Sequence, residues 1–280
     1  MKTVTTTGVF PNGHDTSDAL LRLKDVGFRY LDLAIDYLDY PGSPLSSPDW
    51  KDWAKSLAKL AEKNGVSYTH AHAPGGASSR NEYMMRSFEL CEILGIKYMV
   101  VHPISRHRDK SPIEEEEFLK LNLEFTPPLL ELAKKHGVTI LSENLLWGAS
   151  IDPRIISKLV ERMDSAYFGW CYDIGHANCQ EVDVCIIDQK DIITPLSLHL
   201  QDNNGIFHKD EHLIPGDGNI NWERFLKALA KSGYKGDFVL EAHHQSREAP
   251  DDQRDAIIKR LFCKAEELKA QFLRIKGEIQ

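Results

Sequence analysis

The sequence has few of the features that define secreted or membrane-spanning proteins. It contains five cysteines, an odd number, and none of them are in a CxxC spacing, which is typical of reduced thiols in a cytoplasmic protein. No stretch approaches the roughly 20 apolar residues that span a bilayer. The first residues, with one lysine followed by threonines, lack the apolar run of a secretory signal. We therefore predict a cytoplasmic protein with no membrane partner.

An excess of basic residues is also missing. The chain has 34 lysine and arginine residues against 42 aspartate and glutamate residues, which gives a formal net charge of −8. Because nucleic acids and anionic membranes attract basic surfaces, a nucleic-acid partner is not expected. Hydrophobic residues make up 42% of the chain, enough for a large core. No linker or low-complexity segment divides the sequence, which predicts one domain over residues 1–280.

Short apolar segments alternate with amphipathic ones along the whole chain. Strands are predicted at 3–10, 30–35, 66–73, 98–102, 139–143, 168–173, 196–202 and 237–242. Helices are predicted at 17–26, 49–63, 81–94, 114–136, 153–163, 222–231 and 252–276, with a weaker pattern at 178–188. Thr126, Pro127 and Pro128 are expected to break or restart the long helix at 114–136. Such alternation requires parallel strands joined by right-handed crossovers. Eight units predict a single (β/α)8 TIM barrel in the α/β class, with a doubly wound open sheet as the alternative.

Most predicted strands from the third onward end in a side chain that can bind a metal ion. In chain order these residues are His72, His102, Glu143, Asp173, His199 and Glu241. The carboxyl ends of the strands of a closed parallel barrel meet on one face, so the six side chains should converge. One such group alone is usually solvated or hydrogen-bonded, but around a cation several of them offset one another's desolvation. Oxygen and nitrogen ligands without thiolates suit Mn²⁺, Mg²⁺, Co²⁺ or Zn²⁺.

These motifs resemble those of the xylose isomerase-like TIM-barrel superfamily, which holds sugar isomerases and epimerases, polyol dehydratases and endonuclease IV. The resemblance is carried by SEN at 142–144, DIGH at 173–176, HLQDN at 199–203, DEHLIPGDGNINW at 210–222 and LE at 240–241. In the sugar-converting members four side chains hold one metal ion, and the matching positions are Glu143, Asp173, His199 and Glu241. The resemblance implies one divalent ion, a small-molecule sugar substrate and a possible homo-oligomer.

For this branch the resemblance implies a metal-dependent sugar or sugar-phosphate isomerase or epimerase. A metal ion next to the carbonyl oxygen stabilises an enediolate, and two carboxylates remove and return the proton of the adjacent carbon. Glu143 and Glu241 are expected to fill the two carboxylate roles, and Asn144 is expected to orient a ligand. Substrate contacts are expected from His72, His102, His176, Asp210, His212 and Trp147. Phe10, Tyr37 and Trp170 are weaker candidates than Trp147 for the wall of a substrate pocket.

Two related activities stay open at this point. One is a polyol or keto-acid dehydratase. The other is an endonuclease IV-like zinc phosphodiesterase acting on abasic DNA, since side chains of matching type occur at His72, His102, Glu143, Asp173, His176, His199, Asp210, His212 and Glu241. Against the nuclease, loop 74–80 is nearly uncharged, and the basic loop 104–110 suits a sugar phosphate or sugar acid equally well. A barrel that binds without catalysis is the least favoured interpretation.

The other histidines fall outside this pattern or at its edge. His70 lies two residues before His72 on the same strand face, so it should occupy a deeper layer of the barrel. The remaining six are predicted to be surface residues: His14, His107, His136, His208, His243 and His244.

Overall fold

Eight parallel strands form one sheet in the computed structural model, which describes residues 1–76 and 81–279. The strands are β1 (Thr3–Thr6), β2 (Tyr30–Ala34), β3 (Ser67–His72), β4 (Tyr98–Val101), β5 (Thr139–Glu143), β6 (Phe168–Asp173), β7 (Ser197–His199) and β8 (Phe238–Leu240). From β1 to β7 each strand pairs with the next one in sequence, and β1 also pairs with β8. This order is that of a barrel in which every strand follows the previous one around the circle.

The last gap, between β7 and β8, is closed by the residues that follow each strand. Leu200 forms a parallel bridge with Leu240. Its amide donates to the Val239 carbonyl at 2.8 Å, and the Glu241 amide donates to the Leu200 carbonyl at 3.1 Å. The predicted (β/α)8 barrel is therefore confirmed, and the open sheet is excluded. Closure also places Glu241 beside the end of β7.

Helices surround the barrel. They are α1 (Thr16–Val26), α2 (Trp50–Lys63), α3 (Glu82–Leu94), α4 (Glu115–Phe125), α5 (Pro127–His136), α6 (Pro153–Met163), α7 (Ile174–Cys179), α8 (Trp222–Lys231), α9 (His244–Glu248) and α10 (Asp251–Ile279). Among the described helices, none combines the length and the apolar content required to cross a bilayer. Asp152 and Asn221 cap α6 and α8 through side-chain bonds to backbone amides, the usual way to satisfy the free N–H groups of a first turn.

The core lies between the barrel and the helices. All six residues of β6 are buried, as are all four of β1, which is expected for parallel strands covered on both faces. Phenylalanines with at most 1% exposure pack the helical layer, including Phe28, Phe88, Phe225 and Phe272. Burial of each such side chain contributes about 1.5–3 kcal/mol, and the packed layers hold the carboxyl ends of the strands in fixed positions.

Two predicted elements differ from the structure, and one predicted helix break is confirmed. The first strand ends at Thr6, because the Thr6 hydroxyl accepts a bond from the Gly8 amide and starts a 3-10 turn. The stretch 114–136 is divided as predicted into α4 and α5, which meet at Thr126 because the two prolines that follow start a new helix. The helix predicted at 178–188 is wrong: α7 ends at Cys179, where the chain turns through Glu181 in the left-handed region, with φ of 59°.

Candidate metal centre

Four side chains from four strands meet at the carboxyl end of the barrel. The Nδ1 atom of His199 lies 2.7 Å from Glu143 Oε1, 3.1 Å from Glu241 Oε2 and 3.9 Å from Asp173 Oδ2. One ligand atom from each residue lies within 4.8 Å of the others. The structure therefore brings together the four residues that the sequence pointed to as a metal set, and three carboxylates face a single imidazole nitrogen.

The donor set itself fits a divalent cation. Asp173 Oδ2 is a buried oxygen that accepts no hydrogen bond from any described residue. Leaving a carboxylate oxygen buried without a partner costs about 1–3 kcal/mol or more. This oxygen belongs to the four-residue group, so a cation held there would satisfy it. Three carboxylates and one imidazole are also the ligand types that Mn²⁺, Mg²⁺, Co²⁺ and Zn²⁺ accept.

Charge coupling between these groups shifts their pKa values in opposite directions. Burial alone would raise the pKa of Glu143 and of Glu241, but the His199 imidazole lowers both below the usual value for a glutamate. Burial alone would lower the pKa of His199, yet the two glutamates help to raise it well above its usual value. The glutamates are therefore held as carboxylates, and His199 carries a proton that a cation would displace.

Asp173 differs from the glutamates. Burial raises its pKa to about 7, and although the His176 imidazole opposes this, the carboxylates of Glu143 and Glu241 add to the rise. A carboxyl group in this position holds a proton at slightly acidic pH, because a third negative charge in a buried cluster is unfavourable.

A second cluster flanks the centre on the side of β3 and β4. Glu143 Oε2 lies 3.0 Å from His102 Nε2 and 3.6 Å from His72 Nε2. The two Nε2 atoms are themselves 3.0 Å apart. Since Glu143 uses its other oxygen toward His199, it bridges the two clusters.

A third cluster lies on the side of β6 and β7. Asp210 Oδ2 is 2.7 Å from His212 Nε2 and 3.2 Å from His176 Nε2. The amide of Gln201 donates to the other oxygen of Asp210 at 2.6 Å. The Nδ1 atom of His212 lies 2.8 Å from the Glu241 carbonyl oxygen. The predicted substrate-contacting histidines and Asp210 thus surround the four-residue group on two sides.

Asn144 links a residue of the four-residue group to a residue of the third cluster. Its side-chain oxygen accepts from the Asp173 amide at 2.8 Å, and its side-chain nitrogen donates to the Asp173 carbonyl at 2.9 Å. Its backbone carbonyl lies 2.8 Å from His176 Nδ1. The expectation that Asn144 orients neighbouring side chains agrees with these contacts.

The loop that carries Asp210 and His212 is anchored by the buried carboxylate of Asp202. This carboxylate accepts from the Gly216 amide at 2.7 Å, from the Ile220 amide at 3.2 Å and from the Trp222 indole at 2.9 Å. The anchor fixes the middle and the end of the segment that was recognised in the sequence as DEHLIPGDGNINW.

Replacing Asp202 should therefore destabilise the protein. We expect Asp202→Ala to lower the free energy of unfolding by about 3 kcal/mol or more, because several buried backbone and indole donors lose a charged acceptor. Urea unfolding followed by circular dichroism measures this change. The exposed Asp191→Ala is the matched control and should change stability by less than about 0.5 kcal/mol. A loss below 1 kcal/mol in Asp202→Ala would show that the loop is held by other contacts.

A cavity of about 470 Å³ lies against the two flanking clusters. His102, His176 and Asp210 line one part of it, and residues of the loops after β4 and β5 line the rest, including Arg106 and Trp147. The volume lies in the range of small-molecule sites, roughly 300–1,000 Å³. Trp147 therefore lines the cavity as predicted. Residues 77–80 of the loop whose low charge was noted above lie outside the described part of the chain.

The other aromatic candidates occupy different positions. Trp170 is fully buried, and its indole nitrogen donates to the Ile193 carbonyl at 2.7 Å, so it belongs to the core. Phe10 and Tyr37 line a separate, small cavity beside β1 and β2. His70 is buried with 2% exposure and lies one layer deeper than His72, in agreement with the alternation of strand side chains.

Several residues near the centre were not singled out by sequence. His208 is exposed, as predicted, and it stacks on Trp147 with ring centroids 4.8 Å apart. His243 was also predicted at the surface, but it is half-buried and stacks on His212 at 4.1 Å. Asp32, in the middle of β2, is buried with both oxygens unpaired among the described residues. A charged residue inside an apolar strand is the signal that could have identified Asp32.

Comparison with known proteins agrees with the fold. Residues 20–261 match the family model described as xylose isomerase-like TIM barrel. The chain belongs to this family. An uncharacterized protein of Methanocaldococcus jannaschii is 31% identical over 167 residues, which cover 58% of this chain and 52% of that protein. This chain thus spans about half the length of that relative.

Other relatives have named activities. An L-ribulose-5-phosphate 3-epimerase of Shigella boydii is 22% identical over 255 residues, 86% of either chain. Among solved structures, a D-tagatose 3-epimerase-like protein has a TM-score of 0.74 at 24% identity and covers 99% of both chains. The IolI protein with a bound zinc atom has a TM-score of 0.73 at 17% identity, also with 99% of both chains covered. At these identities the structures show a shared fold.

Proposed function

We propose that this chain is a divalent-metal-dependent epimerase or isomerase of sugars or sugar phosphates that transfers a proton at the carbon next to a carbonyl. The observation that carries the proposal is the meeting of Glu143, Asp173 and Glu241 around His199 at the mouth of the barrel. Two glutamates from strands on different sides of the barrel reach the same point, as proton removal and return on a planar carbon requires.

Each residue then has a defined part. Glu143, Asp173, His199 and Glu241 would hold the ion, which when bound supplies positive charge beside the carbonyl oxygen and stabilises the enediolate. Glu143 and Glu241 have lowered pKa values, so both are ready to accept a proton. One glutamate removes the proton from the carbon and later releases it to water, while the other takes a proton from water and delivers it to the opposite face.

The flanking clusters would bind the hydroxyl groups of the substrate. Of the side chains on the cavity wall, the imidazoles of His102 and His176 can donate to a hydroxyl oxygen, while the Asp210 carboxylate can accept from a hydroxyl. A polyhydroxylated chain needs such a mixture of donors and acceptors. The similarity to sugar epimerases over most of the chain supports this choice of substrate class.

Isotope exchange tests the proposal directly. In D₂O, we expect the Mn²⁺-loaded protein to incorporate deuterium at the carbon next to the carbonyl of its ketose substrate, because the removed proton exchanges with solvent before return. Proton NMR of a panel of ketoses and ketose phosphates measures the loss of the corresponding signal. The control is the same panel with Glu143→Gln. Absence of exchange across the whole panel, together with cleavage of abasic-site DNA, would contradict the proposal.

A zinc phosphodiesterase is the second candidate, because the two flanking clusters also have the composition of metal sites. His72, His102 and Glu143 form one such group, and His176, Asp210 and His212 form another. In each group the ligand atoms lie within 4.8 Å of one another. The metal content after saturation separates the candidates, since one ion per chain supports the sugar enzyme and three ions support the phosphodiesterase.

A further inference from the structure

Uncompensated positive charge lies at one end of the cavity. Arg106, Arg108 and Lys110 belong to the loop after β4 and are exposed. Within the described residues, the ion pair of this loop joins His107 to Glu117 at 3.4 Å, and none of the three cations takes part in one. Although the chain carries a net charge of −8, three unpaired cations in one short loop form a local positive patch that attracts anions.

Arg106 is held in an orientation that leaves its donors available. Its guanidinium lies over the Trp147 ring, 4.4 Å from the centroid. The same indole stacks with His208, which in turn lies 2.9 Å from the Gln180 side-chain nitrogen. A guanidinium stacked on an aromatic face keeps its N–H groups free at its edge, where they match the oxygens of a phosphate or carboxylate.

The two loops that carry this pair are fixed to each other. Arg106 pairs with Pro112 across a short hairpin, closed by a bond from the His107 amide to the Ser111 carbonyl at 3.0 Å. In the loop after β5, a side chain on Gly148 would meet the Ile113 carbonyl oxygen at 2.7 Å. Only glycine permits this close approach, so the loops form one preorganised wall.

This wall borders the same cavity as the two flanking clusters. Arg106, Lys110 and Trp147 line the same cavity as His102, His176 and Asp210, and a second cavity of about 470 Å³ extends past Arg106, Lys110 and Trp147. The metal-centre end is occupied by carboxylates and would repel an anion. A substrate with one anionic end would therefore place that end against the basic loop and its carbonyl at the centre.

We infer that Arg106 and Lys110, with Trp147 as their support, form a binding subsite for a terminal phosphate or carboxylate of the substrate. The preferred substrate is thus an anionic sugar, either a sugar phosphate or a sugar acid. The identity of the remaining part of the ligand as a sugar rests on the proposed function. The anion subsite rests only on the charges and the geometry of the loop.

Calorimetric binding to the Mn²⁺-loaded full chain tests this inference. The probes share one carbon skeleton: D-fructose, D-fructose 6-phosphate and D-fructuronate, which carry a neutral, a phosphate and a carboxylate end. We expect one anionic probe to bind at least about tenfold more tightly than D-fructose, as charge-assisted hydrogen bonds provide. The double variant Arg106→Gln/Lys110→Gln should abolish this preference. The control Arg108→Gln removes one positive charge from the same loop. Arg108 does not line the cavity, so this variant should keep the preference for the anionic probe.

Tighter binding of the phosphate identifies a sugar phosphate, and tighter binding of the carboxylate identifies a sugar acid; both support the subsite. Equal affinity for all three probes, or an equal loss in Arg108→Gln, would overturn it. Because calorimetry measures binding without turnover, the anion subsite and the epimerase activity can each be refuted independently of the other. Charge-dependent binding without deuterium exchange on any ketose would refute the epimerase and keep the subsite. Deuterium exchange that is equally fast on neutral and anionic sugars would support the epimerase and refute the subsite.

Discussion

Glu241→Gln and Glu143→Gln should each lose nearly all turnover, with kcat lower by at least about 10²–10⁴-fold, the usual contribution of a general acid or base. The amide cannot accept the substrate proton, and it is a poorer ligand for a cation. Glu143 also lies within 3.0 Å of His102 Nε2, so its replacement disturbs a second cluster and should have the larger effect. Steady-state kinetics and deuterium exchange with the preferred ketose give the two readouts.

The control for these variants is Glu248→Gln, which removes a carboxylate from the exposed end of α9 and should retain full activity. Metal content and thermal unfolding distinguish a lost ligand from a lost base, since a variant that binds metal and unfolds normally has lost the proton transfer itself. Full activity in Glu241→Gln would end the two-glutamate mechanism.

Metal binding should weaken steeply as the pH falls. A cation needs His199 without a proton at Nδ1, yet the pKa of His199 in the metal-free protein is raised well above 6.5. Binding near neutral pH therefore releases one proton, and affinity should rise about tenfold per pH unit. The pKa of Asp173 is about 7, so below pH 7 a second proton is displaced and the dependence approaches about a hundredfold per unit.

Titration calorimetry of Mn²⁺ between pH 6 and pH 8, repeated in two buffers of different ionisation enthalpy, measures both the affinity and the protons released. We expect one ion per chain. Asp173→Asn should bind Mn²⁺ more weakly, and its affinity should change by about tenfold per pH unit over the whole range, as expected when one proton is released. Removal of the metal with a chelator should also lower the stability, by about 2.7 kcal/mol relative to protein at a metal concentration of 100 Kd. An affinity that does not change with pH would exclude His199 as a ligand.

The barrel was predictable because its signals are local. Apolar β-branched runs, helix caps and glycine stops act over a few residues, and the order of the eight strands then follows from connection rules. Errors occurred where a side chain overrides the pattern: the Thr6 hydroxyl ends β1 early, and the left-handed Glu181 ends the predicted helix after Cys179. Secondary-structure propensities of single residues do not account for such local side-chain bonds and backbone turns.

Residues at the ends of strands gave six candidate ligands, and the family resemblance selected four of them. Glu143, Asp173, His199 and Glu241 are far apart in the chain, but each stands at or just after the end of a predicted strand, so one assumption about closure brings them together. The sequence could not show that Glu143 serves two clusters through its two oxygens, since that depends on side-chain orientation.

The sequence by itself determined the strand order, the fold class and which polar side chains stand at the mouth. Only the tertiary structure decided that Leu200 and Leu240 close the ring, that His208 and His243 join the site and that Arg106 stacks on Trp147 beside the cavity. The physical reason is that secondary structure follows from interactions between near neighbours in the chain, whereas these contacts join loops that follow different strands, and their geometry exists only after the barrel has closed.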